Sequence, residues 1–196
     1  MNVKRNPQRG SYCSLYRTNV GCGGVVASDQ GLVELFLPFT GAASAQVAEV
    51  IAAAYPLATT GNPLTERAAA LLERYFAGEE VSFDLDIDRR AFTPFQQAVY
   101  ELVAKIPFGQ VKTYAQVAGE IGRPGAARGV GTAMARNPLP VIIPCHRVVG
   151  GSGAMTGYSG PGGVASKKVL LAMEGVLFNK CGRVNTSLTA AKSAKL

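Results

Sequence analysis

The sequence predicts an α+β protein: a small N-terminal antiparallel sheet with helices, then a mostly helical C-terminal domain holding a helix-turn-helix. Three observations predict it. Residues 11–39 alternate short apolar runs with Gly-rich breaks, residues 44–77 contain two stretches of helical spacing, and from Thr93 short helices follow one another over tight turns.

Each element has a local cause. The runs Tyr12 to Val20, Val25 to Ala27 and Leu32 to Leu37 are divided by Gly21-Cys22-Gly23-Gly24 and by Asp29-Gln30-Gly31, which reads as a three-stranded meander. Residues 44–55, SAQVAEVIAAAY, and 63–77, PLTERAAALLERYFA, combine helix-forming composition with helical spacing, the second opening at Pro63 and closing at Gly78. Val81 to Arg90 is acidic and then mixed, and reads as an extended linker. The expected domains are residues 1–90 and 91–180, followed by a disordered basic tail over 181–196 with Lys192 and Lys195.

In the second half, Thr93-Pro94 supplies an N-cap and a first-turn proline, and Phe95, Val99, Leu102 and Val103 share one face of a helix over 94–105. It stops at Ile106-Pro107-Phe108-Gly109. Thr113 then caps a helix from Tyr114 to Ile121, and Gly122-Arg123-Pro124-Gly125 connects it to a helix from Ala126 to Arg136 that ends before Asn137-Pro138. This is helix-turn-helix spacing, which also occurs in proteins that never touch DNA. The second helix, AARGVGTAMAR, has only Arg128 and Arg136 as basic groups and carries Gly129 and Gly131, each costing about 1 kcal/mol in a helix interior. Such small residues serve either close packing on another helix or entry into a groove that long side chains would obstruct.

Composition narrows the classes. With 196 residues, 47% hydrophobic and 17% charged, 23 Gly and 11 Pro, the chain suits a folded α/β protein and not a disordered, collagenous or coiled-coil one. No window approaches the roughly 18 apolar residues of a membrane span, so a cytoplasmic protein is expected. The net charge of +7 favours a polyanionic partner. Cys13, Cys22, Cys145 and Cys181 form no CxxC pair, and the one histidine, His146, leaves too few ligands for most zinc sites; no metal and no cofactor are expected.

The chemistry lies in Leu139-Pro140-Val141-Ile142-Ile143-Pro144-Cys145-His146-Arg147-Val148-Val149, where the sole histidine follows a cysteine. A cysteine nucleophile needs a lowered pKa or a neighbouring base. Buried cysteines are more often inert small hydrophobes, and adjacent residues of a strand point to opposite faces, so the chain must bend near Pro144 for thiol and imidazole to communicate.

IPCHRVV, preceded by the helix-turn-helix and Asn137-Pro138-Leu139-Pro140 and followed by Gly157-Tyr158-Ser159-Gly160, Lys167, Leu170-Leu171 and Glu174-Gly175, resembles 6-O-alkylguanine-DNA alkyltransferases. Residues 91–178 carry the resemblance closely, and residues 11–80 only in layout. It implies DNA repair by a monomer in which Cys145 takes the alkyl group from 6-O-alkylguanine once and irreversibly, and it leaves 4-O-alkylthymine open as a second substrate. It implies His146 as the water-bridged base, Glu174 as its orienter, Tyr114 as proton donor to the leaving base and Asn137 as the brace of the active-site turn. Double-stranded DNA is the implied partner, met through its minor groove by Arg128 entering the base stack and by Tyr114, Arg136, Gly129 and Ser152. Tyr158, Ser159, Val148 and Met134 are implied around the flipped base. The stretch Gly160-Pro161-Gly162-Gly163 is longer than the Tyr-Ser-Gly-Gly of some relatives. A damage-binding protein without transfer, and a DNA-binding regulator with an inert Cys145, are the rival readings.

Overall fold

The computed structural model describes residues 12–41, 43–156 and 162–184. The chain divides into two compact units between Ala91 and Phe92.

The first unit is a four-stranded sheet with two helices. Strands β1 (Tyr12–Thr18), β2 (Gly21–Ser28) and β3 (Gly31–Thr40) form the antiparallel meander, and β4 (Thr59–Thr60) adds in parallel to β1, giving the order β3-β2-β1-β4. Helices α1 (Ser44–Ala54) and α2 (Pro63–Phe76) follow β3 and β4 respectively. The Asn62 side chain accepts from the Thr65 amide at the start of α2, with Pro63 in the first turn. Val47, Ile51 and Tyr55 of the α1 region pack with Cys22, Val26 and Phe36 of the sheet.

Two expectations change here. Gly21 to Gly24 do not break the chain: they open β2. The reason is space, because a Cβ on Gly23 would overlap the Tyr16 ring, which crosses β2 to donate its hydroxyl to the Phe36 carbonyl at 2.9 Å, and one on Gly24 would overlap Ile51. Residues 81–90 are likewise more than a spacer. Ile87 bridges Leu32 through the bonds Leu32 N to Asp86 O (2.8 Å) and Asp88 N to Leu32 O (2.9 Å). The buried Asp88 carboxylate accepts from Ser28 at 2.7 Å and from two Arg90 nitrogens at 2.9 and 2.6 Å.

Cys13 and Cys22 both carry free thiols; the β1–β2 register sets Cys13 opposite Val26 and Cys22 opposite Arg17.

The second unit holds α3 (Pro94–Ala104), β5 (Lys112–Thr113), α4 (Tyr114–Glu120), α5 (Ala127–Ala135), β6 (Val148–Val149) and α6 (Gly163–Met173). Thr93 and Thr113 cap α3 and α4 as their sequence positions predict, each accepting from the amide three residues on. Helices α4 and α5 are joined by residues 121–126 and pack on each other and on α3. The two-residue strands do more than their length suggests. β5 pairs in parallel with β6, Lys112 against Val148 and Thr113 against Val149. Tyr114 follows the first and Arg147 precedes the second, so the pairing sets the start of α4 beside the Cys-His-Arg segment.

Among the described residues, no helix is long and apolar enough to cross a membrane, and no group of three His, Cys, Asp or Glu side chains is placed to hold a metal ion. The expected tail boundary shifts. Cys181 to Val184 close a turn that returns to Phe178, since Asn179 and Gly182 supply turn chemistry and Val184 is buried; residues 185–196 lie outside the described residues.

Candidate active site

After α5 the chain makes a braced reversal. The Asn137 side chain donates to the Ile143 carbonyl at 2.8 Å and accepts from the Leu139 amide at 3.0 Å, while the Ile143 amide returns to the Leu139 carbonyl at 2.8 Å. Asn137 thus closes the turn from both ends. Val141, inside it, adopts φ 75°, a left-handed conformation that costs a β-branched residue about 1–3 kcal/mol and persists because the surroundings enforce it. Beyond Pro144, the amides of Cys145 and Arg147 bond to the Ile143 and Pro144 carbonyls at 2.7 and 2.8 Å, winding Cys145–Arg147 into one turn of 3₁₀ helix. The bend that the sequence required at Pro144 is present. Cys145, His146 and Arg147 are all buried.

His146 and Arg147 converge on Glu174, the residue that ends α6. Glu174 Oε1 lies 2.7 Å from His146 Nε2. Arg147 grips the same carboxylate with both ends of its fork, Nε to Oε2 and Nη2 to Oε1, each at 2.9 Å. Its remaining nitrogen Nη1 donates to the Ile106 carbonyl at 2.6 Å, and the guanidinium lies over the Phe108 ring. The Gly109 amide donates to Oε2 at 3.2 Å. Gly109 has φ 72°, and a Cβ there would lie 2.8 Å from the Glu174 carbonyl oxygen. Glu174 is therefore not a solvated carboxylate at a helix end. Burial alone would raise its pKa; the hydrogen bonds and charges of His146 and Arg147 override that and bring it to about 2. Burial lowers the His146 pKa against the opposing pull of Glu174, which favours the neutral imidazole. With an ionised carboxylate on Nε2, the imidazole carries its proton there and its lone pair on Nδ1.

Burial pushes the Cys145 thiol pKa up, and the Asn137 side chain, the Lys167 charge and the amides of Cys145 and His146 pull it down. The site thus stores a protonated thiol among groups that favour the thiolate. Lys167, on α6, is fully buried and donates to the Val148 carbonyl at 2.6 Å and to the Thr156 carbonyl at 3.3 Å. Desolvation lowers its pKa to about 8, partly offset by Cys145. Its ammonium lies 5.7 Å from the Tyr114 ring centroid. The Tyr114 hydroxyl donates to the Thr156 carbonyl at 3.0 Å, and burial raises its pKa.

The other predicted residues divide. Val148 and Met134 are buried, in β6 and α5. Arg128 and Thr132 on α5 and Arg136 at its C-cap are exposed at helical spacing, and Ser152 is exposed in the turn after β6. Gly129 is half-buried, and a Cβ on it would lie 3.2 Å from the Phe95 ring, so α5 packs closely on α3 at this position. Tyr158 and Ser159 lie outside the described residues. Arg147, Lys167 and Gly109 were given no role from sequence. A lysine on the apolar stripe of α6 and an arginine in an otherwise buried run were the available signals.

A helix-turn-helix joined, within one compact unit, to a buried cysteine wrapped in polar groups defines the class: a helix-turn-helix protein with an internal thiol site. The profile of the 6-O-methylguanine DNA methyltransferase DNA binding domain matches residues 94–176, and that of the same family's ribonuclease-like domain matches residues 11–89. Methylated-DNA--protein-cysteine methyltransferase of Mycobacterium tuberculosis is 48% identical over 103 residues, 53% of this chain and 61% of that protein. The constitutive enzyme of that name from Bacillus subtilis is 44% identical over 99 residues, 50% of this chain and 59% of that protein. The crystal structure of the Mycobacterium tuberculosis protein in complex with DNA superposes with a TM-score of 0.66 at 34% identity, covering 83% of this chain and 92% of the other. The chain belongs to the 6-O-methylguanine DNA methyltransferase family. Its aligned stretch spans about three fifths of the length of the curated relatives it matches.

Proposed function

We propose that the protein repairs 6-O-alkylguanine in double-stranded DNA by transferring the alkyl group to its own Cys145. The observation that carries the proposal is the bond between His146 Nε2 and Glu174 at 2.7 Å on the turn that bears Cys145, in the same unit as the helix pair. Glu174 fixes the tautomer, His146 Nδ1 takes the thiol proton through a bridging water, and the charges around Cys145 receive the thiolate. The sulfur attacks the alkyl carbon, an S–C bond forms as the C–O bond to guanine breaks, and the leaving guanine anion accepts a proton from Tyr114. The thioether is stable, so each chain reacts once.

Arg128, Thr132 and Arg136 form the face of α5 that meets the minor groove, about 6 Å wide, where the short residues around them allow close approach. Arg128 fills the gap left by the flipped nucleotide. Ser152 contacts DNA beside the site, and Val148, Met134, Tyr158 and Ser159 surround the base. The protein acts as a monomer where the DNA is, in cytoplasm and nucleoid or in a nucleus, and 4-O-alkylthymine is a second candidate substrate.

The test is intact-protein mass spectrometry with peptide mapping after incubation with a duplex carrying one 6-O-methylguanine. The expected result is a single methyl on Cys145, absent with undamaged duplex and in Cys145→Ser. Tight binding without a mass change would favour damage recognition without transfer.

A further inference from the structure

The family match to the second unit ends at residue 176, and the described structure continues to Val184. Phe178 and Val184 bridge in antiparallel fashion around a short turn. The Asn179 side chain accepts from the amides of Cys181 (2.9 Å) and Arg183 (3.0 Å), and the Asn179 amide donates to the Arg183 carbonyl at 2.9 Å. Gly182, at φ 68°, completes the reversal. The turn therefore has its own internal order.

What it holds is the loop after β6. The Val184 amide donates to the Gly153 carbonyl at 2.9 Å. Gly153 sits at φ 71°, and a Cβ there would overlap the Val184 carbonyl oxygen, so the two backbones meet in a fit that only glycine permits. The Val184 side chain is buried with Val149, Leu171 and Val176, and Met155, Phe178 and Val111 pack against that group. The loop is itself closed by bonds from Gly150 N to Ala154 O and from Gly153 N to Gly150 O, each 2.9 Å, so a displacement at Gly153 is carried along it. Three residues beyond Gly153 is Thr156, whose carbonyl receives both the Tyr114 hydroxyl and the Lys167 ammonium.

We propose that the Phe178–Val184 turn is a strap that positions the active site: through Gly153 it fixes the Thr156 carbonyl, and through that carbonyl the direction of the Tyr114 hydroxyl. Gly153 and Val184 are then positioning residues for alkyl transfer. This rests on the proposed function, in which Tyr114 protonates the leaving base. Of the residues proposed to meet duplex on α5 and in the loop after β6, Ser152 alone adjoins Gly153, so loosening the strap is expected to weaken duplex binding only through that one contact.

The test uses the full chain and measures the single-turnover methyl-transfer rate and the affinity for undamaged duplex. Gly153→Ala, which must detach the strap, is expected to slow transfer about 10- to 100-fold, the scale of a misplaced catalytic group, with duplex affinity falling much less than the rate because only the Ser152 contact is disturbed. Phe178→Ala, a milder loosening, serves where Gly153→Ala does not fold, and Phe178→Leu is expected to restore the rate. In a Tyr114→Phe background the same changes are expected to add far less than in the parent, because the hydroxyl they would misdirect is gone and only the weaker Lys167 bond to Thr156 remains to be disturbed. Parent-like rates in both strap variants would overturn the proposal, as would losses that add fully to that of Tyr114→Phe or a fall in duplex affinity matching the fall in rate. A parent chain that binds duplex but transfers no methyl would remove the repair reading and this inference with it. A parent that transfers while the strap variants match it would remove this inference alone.

Discussion

Replacing Glu174 by Gln removes one charge and almost no volume, from a carboxylate that holds His146, both ends of the Arg147 fork and the Gly109 amide. Its pKa is about 2 in the folded protein against an ordinary 4.5, a difference that amounts to about 3 kcal/mol of folding stability at neutral pH. The folded value is depressed, so this stabilisation is fully present above pH 4.5 and is lost as the pH falls toward 2. In Glu174→Gln the Arg147 guanidinium stays buried without its counter-charge, and breaking such a pair from one side costs about 3–5 kcal/mol. Denaturant unfolding at pH 7 is therefore expected to show the variant less stable by that amount. By pH 3 the parent has lost its own Glu174 contribution by about 2 kcal/mol, so the gap narrows correspondingly. The variant is also expected to transfer methyl far more slowly, as the His146 tautomer is no longer fixed. A gap below about 1 kcal/mol at pH 7, or one that stays constant between pH 7 and pH 3, would refute the assignment of Glu174 as the ionised centre of this network.

Other perturbations test other parts of the structure. Methylation of Cys145 adds volume at a buried position and is expected to destabilise the fold by about 1–3 kcal/mol, seen as a lower melting temperature than that of the unreacted chain. Arg128→Ala, at an exposed position on α5, is expected to weaken duplex binding and flatten its salt dependence while leaving reaction with free 6-O-alkylguanine base unchanged, both measurable by titration and single-turnover kinetics. Lys167→Met removes the cation that lowers the Cys145 pKa; alkylation of the thiol by iodoacetamide at pH 7 is expected to slow severalfold, about the effect of losing one buried neighbouring charge, and an unchanged rate would contradict that role.

The helices were legible from sequence because their signals are local. Thr93-Pro94, Thr113 and Pro63 mark their own helix starts, and each of those helices begins where they place it. Gly21 to Gly24 misled because a glycine that opens a turn and a glycine that makes room for Tyr16 look the same along the chain. The distant partner decides between them. Strand β4 and the Ile87 bridge were hidden for a related reason: two-residue pairings have no periodicity of their own.

The site followed the same division. Cys145 and His146 are adjacent, so their juxtaposition was visible; that Glu174 joins them came from resemblance, since 28 residues separate it from His146. Arg147 and Lys167 belonged to recognised motifs, yet their partners are a side chain across the fold and backbone carbonyls, which no spacing rule names. The small residues of α5 allowed two readings, and its residues divide between them: Gly129 packs against Phe95, while Arg128, Thr132 and Arg136 face outward.

The central claim, a single alkyl transfer onto Cys145, is tested most directly by a stoichiometric titration. Protein is mixed with increasing duplex carrying one radiolabelled 6-O-methylguanine, and the label bound to protein is counted at completion. One methyl per chain, with a plateau that longer incubation or excess duplex does not raise and no label in Cys145→Ser, is the predicted result. Label that never reaches the protein while damaged duplex is bound, or label that exceeds one per chain, would contradict it.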